Sequence, residues 1–304
     1  MNIIWRDGLD NYKQYTHNIN VDTNIHNFNI EILDIPYTEY SSLSDYTVSV
    51  LGNKGTKFVD ILYSGGLDSE LALVLCLQNK IPVRAITMRL IVKGYAINTH
   101  DLYYSEKFCR ANNVQHIIID LDVEHFFENG IHINYLSPYF ITEPHVATHF
   151  WLFEQCEGFP VLGGDYSWPW VHKPLLSPHR HNYSYYDKFL RDNNMEGIGN
   201  FLNYSLASNL ICIKTHLEVF KKNQLETDPK NIPIFKQSFW GTLNLPLPER
   251  RARSYGWDNS SVFNLSRYKV SLIKEFGVTH STITWGNHIT NIIGGDRNTN
   301  GKYN

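Results

Sequence analysis

Cysteine is scarce and neither sign of charge dominates. The four cysteines, Cys76, Cys109, Cys156 and Cys212, stand singly along 304 residues, with no CxxC pair and no Cys/His cluster at zinc spacing, so buried free thiols are expected. Lysine and arginine number 27 against 30 aspartate and glutamate, a formal net charge of -3. That balance removes any global electrostatic case for nucleic acid or an anionic membrane and leaves only a local basic patch as a means of binding either. No stretch approaches the roughly 18 consecutive apolar residues of a spanning helix. Residues 1–8 lack a basic segment leading into an apolar run, and a soluble, cytoplasmic protein is expected.

An apolar fraction of 42% and a charged fraction of 19% are ordinary for globular chains, and the length suffices for a substantial core. Residues 1–56, rich in Asn, Asp, Tyr and Thr, form an N-terminal extension with one strand-like alternation at 28–33. From residue 57 the pattern alternates. Strands are predicted at 58–63, 83–88, 116–121 and 159–162, and helices at 70–78, 102–112 and 145–157. Alternating strand and helix periods predict an α/β domain over 57–180, a doubly wound parallel sheet with helices on both faces. Residues 181–293 read as mostly helical, with helices at 185–193, 201–220 and 262–276, and 294–304 as a Gly/Asn-rich tail.

The sharpest motif is Ser64, Gly65, Gly66, Leu67, Asp68 and Ser69, between a predicted strand and a predicted helix. Paired glycines allow a tight turn that aims several N–H groups at one anion, and the helix adds its positive end. Phosphate is the natural occupant. The two serines can donate hydroxyl hydrogen bonds, whereas Asp68 can face a phosphate only across a cation, which implies Mg²⁺. The GxxxxGK[ST] spacing of a Walker loop is absent, so γ-phosphate transfer is not the first expectation.

This motif, SGGLDS after an apolar strand, resembles the signature of the PP-loop, or N-type, ATP pyrophosphatases. The resemblance implies ATP as the bound nucleotide, with Ser64, Gly65, Gly66, Leu67, Asp68 and Ser69 holding its β and γ phosphates while attack at the α-phosphorus makes an adenylate and pyrophosphate. The chain lacks the cysteine signatures of the sulfur-transferring and deazapurine-forming branches and the nucleophilic cysteine of a fused glutaminase. What remains is most similar to the synthetase domain of asparagine synthetase-like enzymes. In these a glycine-rich acidic segment follows a later strand, and Gly163, Gly164 and Asp165 stand in that place, although Tyr166 follows where the family has an Asp-Glu pair. The resemblance implies Asp165 as a second metal ligand beside Asp68, Thr87 and Met88 as adenine contacts, and Lys269 as a catalytic lysine.

Adenylation builds negative charge on phosphorus and on departing pyrophosphate, and Lys173, shortly after the Gly163-Gly164-Asp165 turn, is a second candidate to stabilise it. His145 and His149 are four apart on one predicted helix face, with no third metal ligand identifiable nearby. Arg250, Arg251 and Arg253, beside Trp257, suit a carboxylate or phosphate clamp, or a solvated basic loop. Three readings follow. The first is an AMP-forming carbon–nitrogen ligase acting on a small-molecule carboxylate with ammonia or an amine, supplied directly or by a separate glutaminase subunit. The second is adenylation of a nucleobase carbonyl, in which nucleic acid is a possible though less favoured partner. The third is a nucleotide-binding protein without chemistry.

Overall fold

A computed structural model describes residues 2–9, 13–20, 25–33, 36, 38–54, 58–164, 184–223, 238–245, 263–276 and 280–285. Three strands, β1 (Asn2–Asp7), β2 (Lys13–Asn20) and β3 (Ile25–Ile32), form an antiparallel meander. Helix α1 (Leu43–Leu51) follows, its first turn capped by Ser42, whose hydroxyl accepts from the Asp45 N–H at 3.1 Å.

The alternating segment then runs β4 (Val59–Leu62), α2 (Leu67–Gln78), β5 (Val83–Val92), β6 (Tyr95–Ala96), α3 (Thr99–Ala111), β7 (Gln115–Asp122), the short helices α4 (Val123–Glu128) and α5 (Ile131–Leu136), α6 (His145–Glu154) and β8 (Phe159–Leu162). Strands β7, β5, β4 and β8 lie side by side in that order, all parallel. A bridge from Val161 to Ile198 extends the sheet past β8, and β6 folds back antiparallel on the end of β5. The expected α/β fold with a mostly parallel sheet is therefore present.

Both faces of this sheet are covered, which is why β4 beyond Asp60 and the adjoining Ala85 and Ile86 of β5 are apolar on both sides. Val59, Ile61, Tyr63 and Ala85 pack against α1 and α2, in a cluster that also takes in Cys212 and Trp240. Leu62, Ile86 and Leu90 point the other way, into an aromatic core with Phe126, Phe150 and Phe153. Residues 71–76 of α2 are all buried, as the sequence pattern predicts for a helix enclosed between layers. Burial pushes the thiols of Cys76, Cys109 and Cys212 up to about 12, and all four cysteines are free. At the amino ends of the strands the Asp60 carboxylate accepts Arg84 Nε and Nη2, each at 2.7 Å, and the Gly158 N–H at 2.7 Å, tying β4, β5 and β8 into register.

After β8 the described chain resumes at α7 (Ser184–Asp192), followed by α8 (Leu206–Asn223), a helical turn at 238–242 and α9 (Ser266–Glu275). Three differences from expectation follow. Strand β5 runs four residues beyond the predicted end at 88, because the Asn98 amide accepts from Leu90 N and donates to the Met88 carbonyl, extending its edge. The helix predicted at 201–220 starts at Leu206, after a 3-10 turn (Phe201–Asn203), because Ser205 caps it by accepting the Ser208 N–H at 3.0 Å. The region read as mostly helical also contains β9 (His280–Trp285), which pairs parallel with β3 and completes a second, four-stranded sheet from the two ends of the chain.

Candidate functional site

Strand order locates the site before any side chain is considered. From β4 the chain builds outward through β5 and β7, then returns to the opposite side of β4 with β8. The carboxyl ends of β4 and β8, paired at Leu62 and Leu162, thus flank a topological switch point, the place where open α/β sheets bind ligands. The glycine loop leaves one of these ends and Gly163-Gly164 leaves the other.

The loop is held by its own atoms. Gly65 has φ +74°, a left-handed backbone natural to glycine, and Gly66 is the N-cap of α2. Ser69 Oγ donates to the Gly66 carbonyl at 3.1 Å, Ser64 and Ser69 Oγ lie 3.3 Å apart, and the Gly66 N–H points back at Ser64 Oγ at 3.4 Å. Behind the loop, Tyr63 is fixed at three atoms. Its N–H donates to the Ile86 carbonyl at 2.8 Å, its carbonyl accepts Thr87 Oγ1 at 2.7 Å, and its phenol donates to the buried Glu70 carboxylate.

Neighbouring elements leave no room for side chains on the loop. A Cβ on Gly65 would stand 2.4 Å from the Asp101 carbonyl in the first turn of α3, and a Cβ on Gly163 2.8 Å from Ser69 Cα. Gly163 is therefore the floor under the start of α2. Gly164, at φ +84°, lies against Asn200. By contrast a Cβ on Gly66 would meet only Ser64 Oγ at 3.2 Å, so the backbone is open there to an approaching ligand. The positive end of α2, two hydroxyls and an open glycine suit an anion, and the first-turn carboxylate of Asp68 suits a cation bound beside it.

No family model matches this chain, and no curated protein matches it either. Solved structures similar to it include the NH3-dependent NAD synthetase of Campylobacter jejuni subsp. jejuni, at 15% identity over 69% of this chain and 96% of that one, with a TM-score of 0.31. NMN synthetase from Francisella tularensis is 13% identical over 75% and 92%, with a TM-score of 0.33. The U34-tRNA thiolase NcsA from Methanococcus maripaludis is 12% identical over 77% of each chain, with a TM-score of 0.34. At such identities and scores these similarities assign neither substrate nor reaction.

The structure brings Ser64, Gly65, Gly66, Leu67, Asp68, Ser69, Gly163 and Gly164 together. Thr87 and Met88 lie within β5, not at its end. The Thr87 hydroxyl is committed to the Tyr63 carbonyl and accepts His116 Nε2 at 2.8 Å, and the Met88 carbonyl accepts from Asn98. Because the threonine proton is already placed, His116 donates from Nε2, and burial lowers the pKa of its ring. Lys269 is ion-paired with Glu143, just ahead of α6, and none of its described contacts reaches the loop. His149 bonds the Tyr186 phenol at 2.7 Å, and no group of three or more His, Cys, Asp or Glu side chains among the described residues is arranged to hold a metal. Asp165, Lys173, the arginines at 250, 251 and 253, and the tail at 294–304 lie outside the described residues. Sequence reasoning missed the contribution of α3, since nothing in its pattern signals that the Asp101 backbone will press on Gly65.

Proposed function

We propose that this protein is an ATP-dependent synthetase that adenylates a carboxylate, for attack by ammonia or an amine. The observation that carries this reading is the placement of the six-residue SGGLDS loop at the sheet's switch point, with Gly163 beneath it and the N-terminus of α2 behind it. In this reading Ser64, Ser69 and the N–H groups opening α2 hold the β and γ phosphates of ATP. Asp68, with Asp165 as the second candidate ligand, holds Mg²⁺, which offsets phosphate charge. A carboxylate oxygen attacks the α-phosphorus, the bond to the bridging oxygen breaks, and pyrophosphate leaves. The amine nitrogen then attacks the acyl carbon, loses a proton and expels AMP. Lys173 is the candidate cation for the charge that develops on phosphorus, since Lys269 is engaged with Glu143.

In this reading the loop donors face the departing pyrophosphate, where negative charge grows. Removing one such donor typically costs on the order of 3 kcal/mol in the transition state. Among the described residues no helix is long and apolar enough to cross a membrane. The test follows α- and γ-labelled ATP with Mg²⁺ across pools of amino acids and other carboxylates, with ammonia present. AMP and pyrophosphate that disappear with Asp68→Ala support the reading. ADP and orthophosphate overturn it, and tight ATP binding without turnover favours a binding protein.

A further inference from the structure

The glycine loop is closed at its neck by a buried polar pair. Tyr63 immediately precedes Ser64 and Glu70 immediately follows Ser69, so the six loop residues span the gap between them. The Tyr63 phenol donates to the Glu70 carboxylate, and the two residues are only 1% and 2% exposed. One end of this link is fixed to the sheet, since the Tyr63 backbone is bonded to the Ile86 carbonyl and to Thr87 Oγ1. The other end belongs to α2, where the Glu70 N–H donates to the Gly66 carbonyl at 3.0 Å in the first turn. Phe108 of α3 packs edge-on against the Tyr63 ring, with centroids 5.7 Å apart. Between these anchors Ser64 is exposed and Gly66, Leu67 and Asp68 are partly so.

Stability alone gives no reason for such a pair. Tyr63 lies in an apolar cluster with Ile61, Leu71 and Ala85, where two apolar side chains would join β4 to α2 without the desolvation that a carboxylate costs. The dipole of α2 gives no reason either, because a first-turn carboxylate serves it without being buried, as the partly exposed Asp68 does. What a buried hydrogen bond adds is a fixed length and direction. Here it sets where the start of α2 stands relative to the end of β4, and with that the aim of the N–H groups that open the helix. A misplacement of about 1 Å in such groups can cost on the order of a hundredfold in rate.

We propose that Tyr63 and Glu70 are positioning residues for the glycine loop, their hydrogen bond setting the spacing of its donors to fit two linked phosphates rather than one. The proposal rests on the reading of the loop as the pyrophosphate site of an adenylating enzyme. Both side chains are buried behind the loop and act through its backbone.

The experiment titrates the whole chain calorimetrically with pyrophosphate, with orthophosphate and with ATP, all in Mg²⁺, so no acceptor substrate is needed. The variants are Tyr63→Phe, Glu70→Gln and Glu70→Leu, with Val59→Ala in the same core as a control for lost stability, each first shown to be folded by urea titration. Tyr63→Phe is expected to weaken pyrophosphate about tenfold and to leave orthophosphate within about twofold. Glu70→Gln keeps an oxygen that accepts the phenol proton and should hold pyrophosphate within about threefold of wild type, whereas Glu70→Leu should match Tyr63→Phe. Val59→Ala should unfold at lower urea and bind pyrophosphate as wild type does. The proposal is overturned if Tyr63→Phe binds pyrophosphate undiminished or loses both anions equally. It is overturned too if Glu70→Gln and Glu70→Leu shift alike, which would make the charge of Glu70 the cause. Wild type that binds neither ATP nor pyrophosphate removes the reading of the loop and the clasp with it. Wild type that binds both, beside an unaffected Tyr63→Phe, removes the clasp alone.

Discussion

Replacing Gly65 and Gly66 one at a time by alanine separates what the loop needs to fold from what it needs to bind. At Gly65 an alanine meets two penalties. Its φ of +74° costs an L-residue about 1–2 kcal/mol, and its Cβ would stand 2.4 Å from the Asp101 carbonyl, an overlap with backbone that adds about 1–3 kcal/mol as the loop and α3 move apart. Together these give about 2–5 kcal/mol, a large share of the roughly 5–15 kcal/mol that holds a typical domain together. At Gly66 φ is -82° and ψ 157°, open to any residue, and the added methyl touches only the Ser64 hydroxyl at 3.2 Å. Stability there should change by less than about 1 kcal/mol, with either sign. That methyl does project into the ligand's approach, so ATP affinity should fall with the fold intact. Urea unfolding followed by tryptophan fluorescence reads the first effect, and calorimetric ATP titration reads the second. With an m-value near 3 kcal/mol/M, the Gly65→Ala midpoint should fall by roughly 0.7–1.7 M. Equal stability of the two variants would refute the packing of α3 on the loop, and undiminished ATP affinity in Gly66→Ala would refute the open approach.

Other predictions test the scaffold. Asp60→Asn should destabilise by about 3 kcal/mol in equilibrium unfolding, because it leaves the buried Arg84 guanidinium with only the exposed Glu157 carboxylate as counter-charge. Glu157, with its side chain 84% exposed, bonds the same arginine from the surface, and Glu157→Gln should cost under about 1 kcal/mol. Burial lowers the pKa of both His116 and His132, so below the ordinary histidine value of about 6.5 the unfolded chain takes up protons that the folded chain refuses. Stability should therefore fall as pH drops from about 6.5 toward the folded values, and His116→Gln with His132→Gln should flatten that slope in urea titrations at pH 7.5 and 5.5. Burial raises all four thiols to about 12, so accessibility decides the order: Cys76, Cys109 and Cys212 should resist a thiol reagent in the native state and react in urea, while Cys156, the one of the four that is only partly buried, reacts first.

Much of the α/β core was legible as local pattern. Val59 to Leu62, Val83 onward and Phe159 to Leu162 are short apolar runs bounded by turn residues, and α2 is apolar nearly all round, so strand and helix periods could be read without tertiary knowledge. The turn of the glycine loop and the placing of its six residues at the start of α2 were legible because backbone reach and helix polarity are local properties. Less could be read where one side chain among several candidates sets a boundary. Asn98 extends β5 from ten residues downstream of Met88, and Ser205, by capping the residues that follow it, decides where α8 begins. The N-terminal meander was nearly invisible, since its asparagine-rich strands show little alternation and its sheet is completed by β9 from the far end of the chain.

By itself the sequence determined that this chain folds as an α/β protein and that residues 64–69 turn between a strand and a helix, because periodicity, glycine and helix polarity act over a few residues. Only the tertiary structure decided that Gly163 lies under Ser69, that the Asp101 carbonyl closes on Gly65, and that Thr87 spends its hydroxyl on the Tyr63 carbonyl. Those contacts depend on which strand lies beside which. Strand order is a global outcome of packing two helical layers on one sheet, and no local run of residues encodes it.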